Sequence, residues 1–184
     1  MKDFAKELNK YDFIKTATKI SEDRNEKLYL VGGYVRDLIL ERHSNEMDFL
    51  VVGNGPDFAT DFAKALGVSD VVIFRNFGTA HFNYQGFSFE FVGARKESYN
   101  KNSRNPVVTT GTLDDDLNRR DFTVNTLALS LNHPNYLELI DKFNGVADIK
   151  NRIIRTPLEP EDTFNDDPLR IMRAFRFASQ LQFE

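Results

Sequence analysis

The stretch from Leu28 to Val52 constrains the fold more than any other. Leu28-Tyr29-Leu30-Val31 is an apolar run of strand length stopped by Gly32-Gly33, and Tyr34 to Leu40 then carries Val35, Leu38 and Ile39 at helical spacing. A polar turn, Arg42 to Asn45, leads into Glu46-Met47-Asp48-Phe49-Leu50-Val51-Val52. At a period of two, this second strand points Glu46 and Asp48 to one side and Met47 and Phe49 to the other. The helix N-terminus, with its unsatisfied N–H groups, falls beside glycines that tolerate φ > 0, and Arg36 lies one turn in, which makes an anion site. Two carboxylates whose Cα atoms are about 6.5 Å apart on one strand face can converge on one or two hard cations, as in-line phosphoryl transfer requires. An ordinary Gly-Gly turn and a solvated acidic strand start account for the same residues.

The remaining segments supply cover and further charge. Phe4, Leu8, Phe13, Ile14, Ala17 and Ile20 lie near helical spacing, as one broken or two short amphipathic helices, and Asp57 to Leu66 is a second helical cover closed by Gly67. Val71 to Phe77, Thr79 to Tyr84 and Phe87 to Val92 predict an antiparallel meander. In its last strand Glu90 alternates with Phe87, Phe89 and Phe91, so it is either a third carboxylate beside Glu46 and Asp48 or a lone exposed acid. His81 and His133 are assigned structural roles. Residues 96–112 are polar and aperiodic, which predicts a mobile loop, and Thr112 with Asp115 forms a capping box for a helix. Its acids Asp114, Asp115 and Asp116 complement the helix dipole, and of the adjacent Arg119 and Arg120 one must turn toward the protein or a ligand. Tyr136 to Ile140 reads as a strand, and Asp141 to Asp148 as a structural turn around an αL glycine. Asp166-Asp167-Pro168 predicts an N-cap and first helical position, with helix continuing from Ile171 to Phe183. On it Arg170, Arg173 and Arg176 share an arc with Leu169 and Phe177, leaving almost no neutral solvent face, so the guanidinium groups are expected in a cleft.

Gly32-Gly33-Tyr34-Val35-Arg36-Asp37, then Glu46-Met47-Asp48, resembles the catalytic head of the bacterial-type (class II) tRNA nucleotidyltransferase (CCA-adding enzyme) and poly(A) polymerase family, whose patterns are GGxVRD and D-x-D. Arg119-Arg120-Asp121-Phe122-Thr123-Val124-Asn125 is similar to that family's RRDFTxN, residues 141–148 to its DxxxGxxD, and Asp166 to Arg170 to its EDxxR. Two acids depart: Glu46 stands for an Asp, moving one metal ligand by a methylene, and Asp166 stands for a Glu. The resemblance implies a mixed α/β (α+β) polymerase-β-type fold, a mixed or antiparallel sheet flanked by helices, followed by the first helix of an all-α neck. It divides the chain into an N-terminal helical segment (1–27), a head (28–150) and the start of a neck (151–184). It implies Mg²⁺ or Mn²⁺ held by Glu46, Asp48 and Glu90, phosphates cradled by Gly32, Gly33 and Arg36, sugar or phosphate held by Arg120, and the base read by Asp167, Arg170, Arg173 and Arg176. Asp167 accepts and Arg170 donates, which matches cytosine or adenine and mismatches uracil and guanine. The implied reaction adds CMP or AMP from CTP or ATP to a tRNA or other RNA 3′ end. A poly(A) or A-adding polymerase, or a nucleotide-binding module impaired by Glu46, are the rivals.

Composition narrows the partners. A hydrophobic content of 41% with 17 Phe is ample for a core, and the absence of Cys leaves only carboxylate and His ligands. A net charge of −4 argues against a broad nucleic-acid surface, so any RNA contact is expected to be local. No apolar run approaches a membrane span, and a cytoplasmic location is the default expectation. Glu184 falls within the expected last helix, which suggests a truncated chain that binds nucleotides but adds them poorly to tRNA.

Overall fold

A computed structural model describes residues 3–98 and 107–184. Two short helices, α1 (Phe4–Leu8) and α2 (Asp12–Asp23), precede β1 (Lys27–Val31), α3 (Gly33–Ile39) and β2 (Glu46–Val52). Next come α4 (Gly55–Ala65), β3 (Val72–Phe74), β4 (Thr79–Tyr84) and β5 (Phe87–Gly93). The strands β6 (Arg95–Ser98) and β7 (Val107–Thr110) form a separate ribbon, followed by α5 (Leu113–Asn118), β8 (Ala128–Ser130) and β9 (Leu139–Ile140). Helices α6 (Gly145–Asn151), α7 (Pro160–Asp166) and α8 (Leu169–Leu181) complete the chain.

One seven-stranded sheet in the order β3-β4-β5-β2-β1-β8-β9 carries the site. Every pairing in it is antiparallel except β2 with β5, and the return between those two runs through α4 and the β3-β4 hairpin. Alternation gives the sheet two unlike faces. Met47, Phe49, Phe82, Phe89 and Phe91 point to one face and are buried beneath Phe58 and Phe62 of α4 and Phe13 and Ile14 of α2. Their rings interlock: Phe49 stacks on Phe91 at 4.7 Å, and Phe89 meets Phe82 edge-on at 5.4 Å. On the opposite face a smaller core of Tyr29, Val31, Leu50, Ala94 and Ala128 packs under Leu113. That core stops short of the β3 edge, so Glu46, Glu90, Val72 and Phe74 stay exposed.

The structure corrects several sequence expectations. The supposed mobile loop is bounded by a ribbon in which Arg95–Ser98 pairs with the β-branched run Val107–Thr110; 99–106 lie outside the described residues. The strand expected from Tyr136 is only Leu139–Ile140, since Leu137 has φ 62° and breaks the extended run. The glycine of 141–148 is not the αL residue. Asn144 is, with φ 58°, while Gly145 is needed because a Cβ there would meet the Thr123 carbonyl oxygen at 2.4 Å. Residues 160–166 form a further helix, α7, which ends at Asp166. Finally, α8 stops at Leu181: Gln182 takes an αL conformation, the Phe183 N–H donates to the Ala178 carbonyl, and Phe183 is buried, so Glu184 is not helical. Helix α8 also has a neutral outer face after all, with Ile171, Met172 and Phe175 exposed and Leu169 beside them in solvent.

Candidate functional site

The acidic and the basic candidates come together in one cleft of about 780 Å³. Glu46, Asp48 and Glu90 line it from the sheet; Gly32, Gly33 and Arg36 from the β1–α3 turn; Arg120 from the end of α5; Asp167, Arg170, Arg173 and Arg176 from the α7–α8 corner. The parallel register sets Asp48 directly across from Glu90 and Glu46 across from Ser88. Burial pushes the Asp48 carboxyl up to about 6, Glu90 and Glu46 push in the same direction, and Arg120 and Arg36 oppose them. Asp48 therefore sits in a field that a cation would relieve. Among the described residues no three such side chains are gathered at metal-ligand spacing. The donor set, oxygen only on the face of a polar cleft, suits a hard divalent ion.

Gly32 is fixed by geometry. Its φ is 69°, and a Cβ would lie 2.8 Å from Nη1 of Arg120 and 3.7 Å from Oδ2 of Asp48. The positive φ calls for glycine, and a side chain there would also displace the Arg120 guanidinium from the turn. The N–H of Gly32 itself is not offered to a ligand, because it donates to the Leu127 carbonyl at 2.9 Å.

The arginines are held by a network, most of whose members are not among the expected site residues. Asp116 is fully buried and binds both Arg119 and Arg120; Arg120 donates to it through Nε and Nη2 at 3.1 and 2.9 Å and to the Asn125 carbonyl at 3.2 Å. Both adjacent arginines thus turn inward, and Asp116 does more than complement a dipole. Asp121 accepts from Arg173 Nε at 2.8 Å and from Asn125 Nδ2 at 3.0 Å; the Oδ1 of Asn125 in turn accepts from Arg36 at 2.8 Å. A continuous chain runs from α3 to α8. Arg36, buried, also forks onto its neighbour Asp37 and lies 5.4 Å from the Phe177 ring centroid, which Arg173 and Arg176 share. Asp116 was detectable from its (i, i+3) and (i, i+4) arginines, and Asp121 and Asn125 lie inside the RRDFTxN stretch.

Arg170 is buried and anchored, donating to the carbonyls of Thr163 at 3.1 Å and Arg119 at 2.6 Å. Asp167 accepts the Leu169 N–H at 3.0 Å, and the N-cap position of α8 falls on Pro168, one residue later than the expected Asp. His81 pairs with Ser88 at 2.9 Å, and His133 packs on Tyr136; neither lines the cleft.

A mixed sheet with carboxylates on its open face, opposed by arginines from a glycine turn and a helical corner, defines a nucleotidyltransferase-type head fold. The poly A polymerase head domain family matches residues 28–155, and the chain belongs to that family. It is 43% identical over 158 residues to an A-adding tRNA nucleotidyltransferase of Aquifex aeolicus, covering 86% of this chain and 19% of that one. It is also 43% identical over 164 residues to a CCA-adding enzyme of Lactobacillus helveticus, covering 88% of this chain and 39% of that one. A solved tRNA nucleotidyltransferase complexed with a primer tRNA and an incoming ATP analog superposes with a TM-score of 0.79 at 38% identity, covering 91% of this chain and 45% of the other. The chain thus spans less than half the length of these relatives. No helix among the described residues is long and apolar enough to cross a membrane.

Proposed function

We propose that residues 28–150 are the catalytic head of a template-independent RNA nucleotidyltransferase, with 1–27 packed on it and 151–184 the start of its neck. The reaction transfers CMP or AMP from CTP or ATP to a tRNA 3′-hydroxyl and releases pyrophosphate. The observation that carries this reading is the division of one cleft into a carboxylate side and an arginine side. Glu46, Asp48 and Glu90 would hold Mg²⁺ or Mn²⁺, which neutralises the triphosphate and lowers the pKa of the attacking hydroxyl. Arg36 and Arg120, fixed by Asn125, Asp37 and Asp116, present guanidinium charge to phosphate and sugar without reorganising. Arg170 keeps three of its five N–H donors beyond those given to Thr163 and Arg119, enough to address a base acceptor while Asp167 takes the exocyclic amino group. Addition of AMP alone is the second reading, supported by the name of the Aquifex relative.

Selectivity tests the proposal. Isothermal titration of the four triphosphates with Mg²⁺ should show CTP and ATP, or ATP alone, binding well ahead of UTP and GTP. Equal affinity for all four contradicts base reading by Asp167 and Arg170. With tRNA lacking its 3′ end, addition by this chain is expected to be slow, because the arginines named above are committed to the cleft and little basic surface is left for an RNA helix. In a full-length enzyme, Glu46→Asp should raise turnover.

A further inference from the structure

The sheet face that carries the carboxylates continues, uncovered, past them. A single register row runs Asp48, Glu90, His81, Val72 across β2, β5, β4 and β3, and the next row on the same face ends Val92, Thr79, Phe74. Directly opposed residues share a face, so Val72 and Phe74 look out on the same side as Glu90. Both are about half exposed, at 50% and 48%, on an edge strand that has only β4 beside it. Two neighbouring apolar side chains left in solvent on one face, beside a polar site, mark an interaction surface.

Resting on the nucleotidyltransferase reading, we infer that this strip, His81, Phe74 and Val72, is the platform on which the 3′-terminal bases of a single-stranded RNA acceptor stack. In-line displacement requires attacking and leaving oxygens on opposite sides of the transferred phosphorus. The arginines occupy the β1 side of Asp48, where Arg120 reaches the Gly32 turn, and that is the side for the triphosphate and its leaving pyrophosphate. The attacking hydroxyl must then arrive from the β5–β4–β3 side. Three strand spacings, about 14 Å, separate β3 from β2, a span for the last few nucleotides of an extended strand. An aromatic ring and an imidazole are side chains on which unpaired bases stack without sequence preference. With three residues, β3 is too short to template a protein strand.

The test is fluorescence titration of a short fluorescein-labelled single-stranded RNA, alongside calorimetry with Mg²⁺ and CTP, on the whole chain. Phe74→Ala should weaken RNA binding about tenfold and leave CTP affinity unchanged, while Phe74→Tyr keeps both. Phe77→Ala, an exposed phenylalanine in a different cleft beside Gly53 and Arg95, should change neither. Circular dichroism confirms that each variant is folded. No RNA binding by the wild-type chain, or wild-type RNA affinity in Phe74→Ala, overturns the assignment. A wild-type dimer that Phe74→Ala dissolves without altering RNA affinity makes the strip an interface between copies, and also overturns it. Absence of CTP binding by the wild-type chain strikes the nucleotidyltransferase reading itself, and this assignment with it.

Discussion

The two faces of the sheet are built from alternate residues of the same strands and have opposite energetics. Along β5, Phe89 and Phe91 disappear into a layer of interlocked rings, while Glu90 and Val92, alternating with them, face the cleft. On β2, buried Met47 and Phe49 alternate with Glu46 and Asp48. The aromatic face gains free energy from every ring it buries. The cleft face concentrates like charges, holding Asp48 where ionisation is disfavoured. Stability and chemistry are therefore assigned to alternate positions on each strand, and single substitutions should separate them.

The largest effect is expected on the packed face. Phe91 touches the rings of Phe49, Phe58, Phe62 and Phe82, and Phe91→Ala should cost about 3–5 kcal/mol in urea unfolding. Nucleotide affinity of the molecules still folded should not change. A cost below about 1 kcal/mol would show that this core is not the main support of the sheet. Across the cleft, Asp116→Ala removes the buried carboxylate that two arginines share and should cost about 3 kcal/mol. Unlike Phe91→Ala, it should also weaken triphosphate binding, because Arg120 loses the group that aims it. Unchanged CTP affinity in that variant would remove Arg120 from the site.

Asp48→Asn should have the opposite sign. Below the carboxyl's ordinary value, near pH 4, Asp48 is protonated whether the chain is folded or not, and contributes nothing. Between about 4 and 6 the unfolded chain releases the proton while the folded chain keeps it, so folding is progressively penalised; above 6 the penalty is constant. Asp48→Asn should therefore stabilise the metal-free chain by about 1–3 kcal/mol at pH 7.5, with the gain fading toward pH 4. Equal stability of the two proteins across that range would mean that Asp48 is not strained by its surroundings. A further contrast concerns Arg170, buried but facing the cleft. Arg170→Ala should weaken CTP and ATP binding by about 1.5–3 kcal/mol and narrow their margin over UTP and GTP. Full preference in the mutant would place base reading elsewhere.

Much of this was legible from residues 28–52, because strand, glycine turn, helix and acidic strand each have a local signature, and the alternation of β5 announced which face Glu90 would take. What escaped has common physical causes. The ribbon flanking 99–106 and the short α7 are set by tertiary pairing and packing instead of by periodicity. Helix α8 turns out to be two-sided because its apolar residues split between the core, where Phe177 lies, and solvent, where Met172 and Phe175 lie. The roles of Asp121 and Asn125 depend on partners 52 and 89 residues away, Arg173 and Arg36, and no local pattern encodes such distances.

The contrast between the faces rests on one claim, that the charged face is a metal-dependent triphosphate site. Calorimetric titration of this chain with CTP, in Mg²⁺ and again in excess chelator, tests it most directly. The account predicts binding with Mg²⁺ that weakens at least about tenfold in chelator, a loss that Asp48→Asn reproduces even with Mg²⁺ present. Equal CTP affinity in the two buffers, or in the wild-type and Asp48→Asn chains with Mg²⁺, would contradict it.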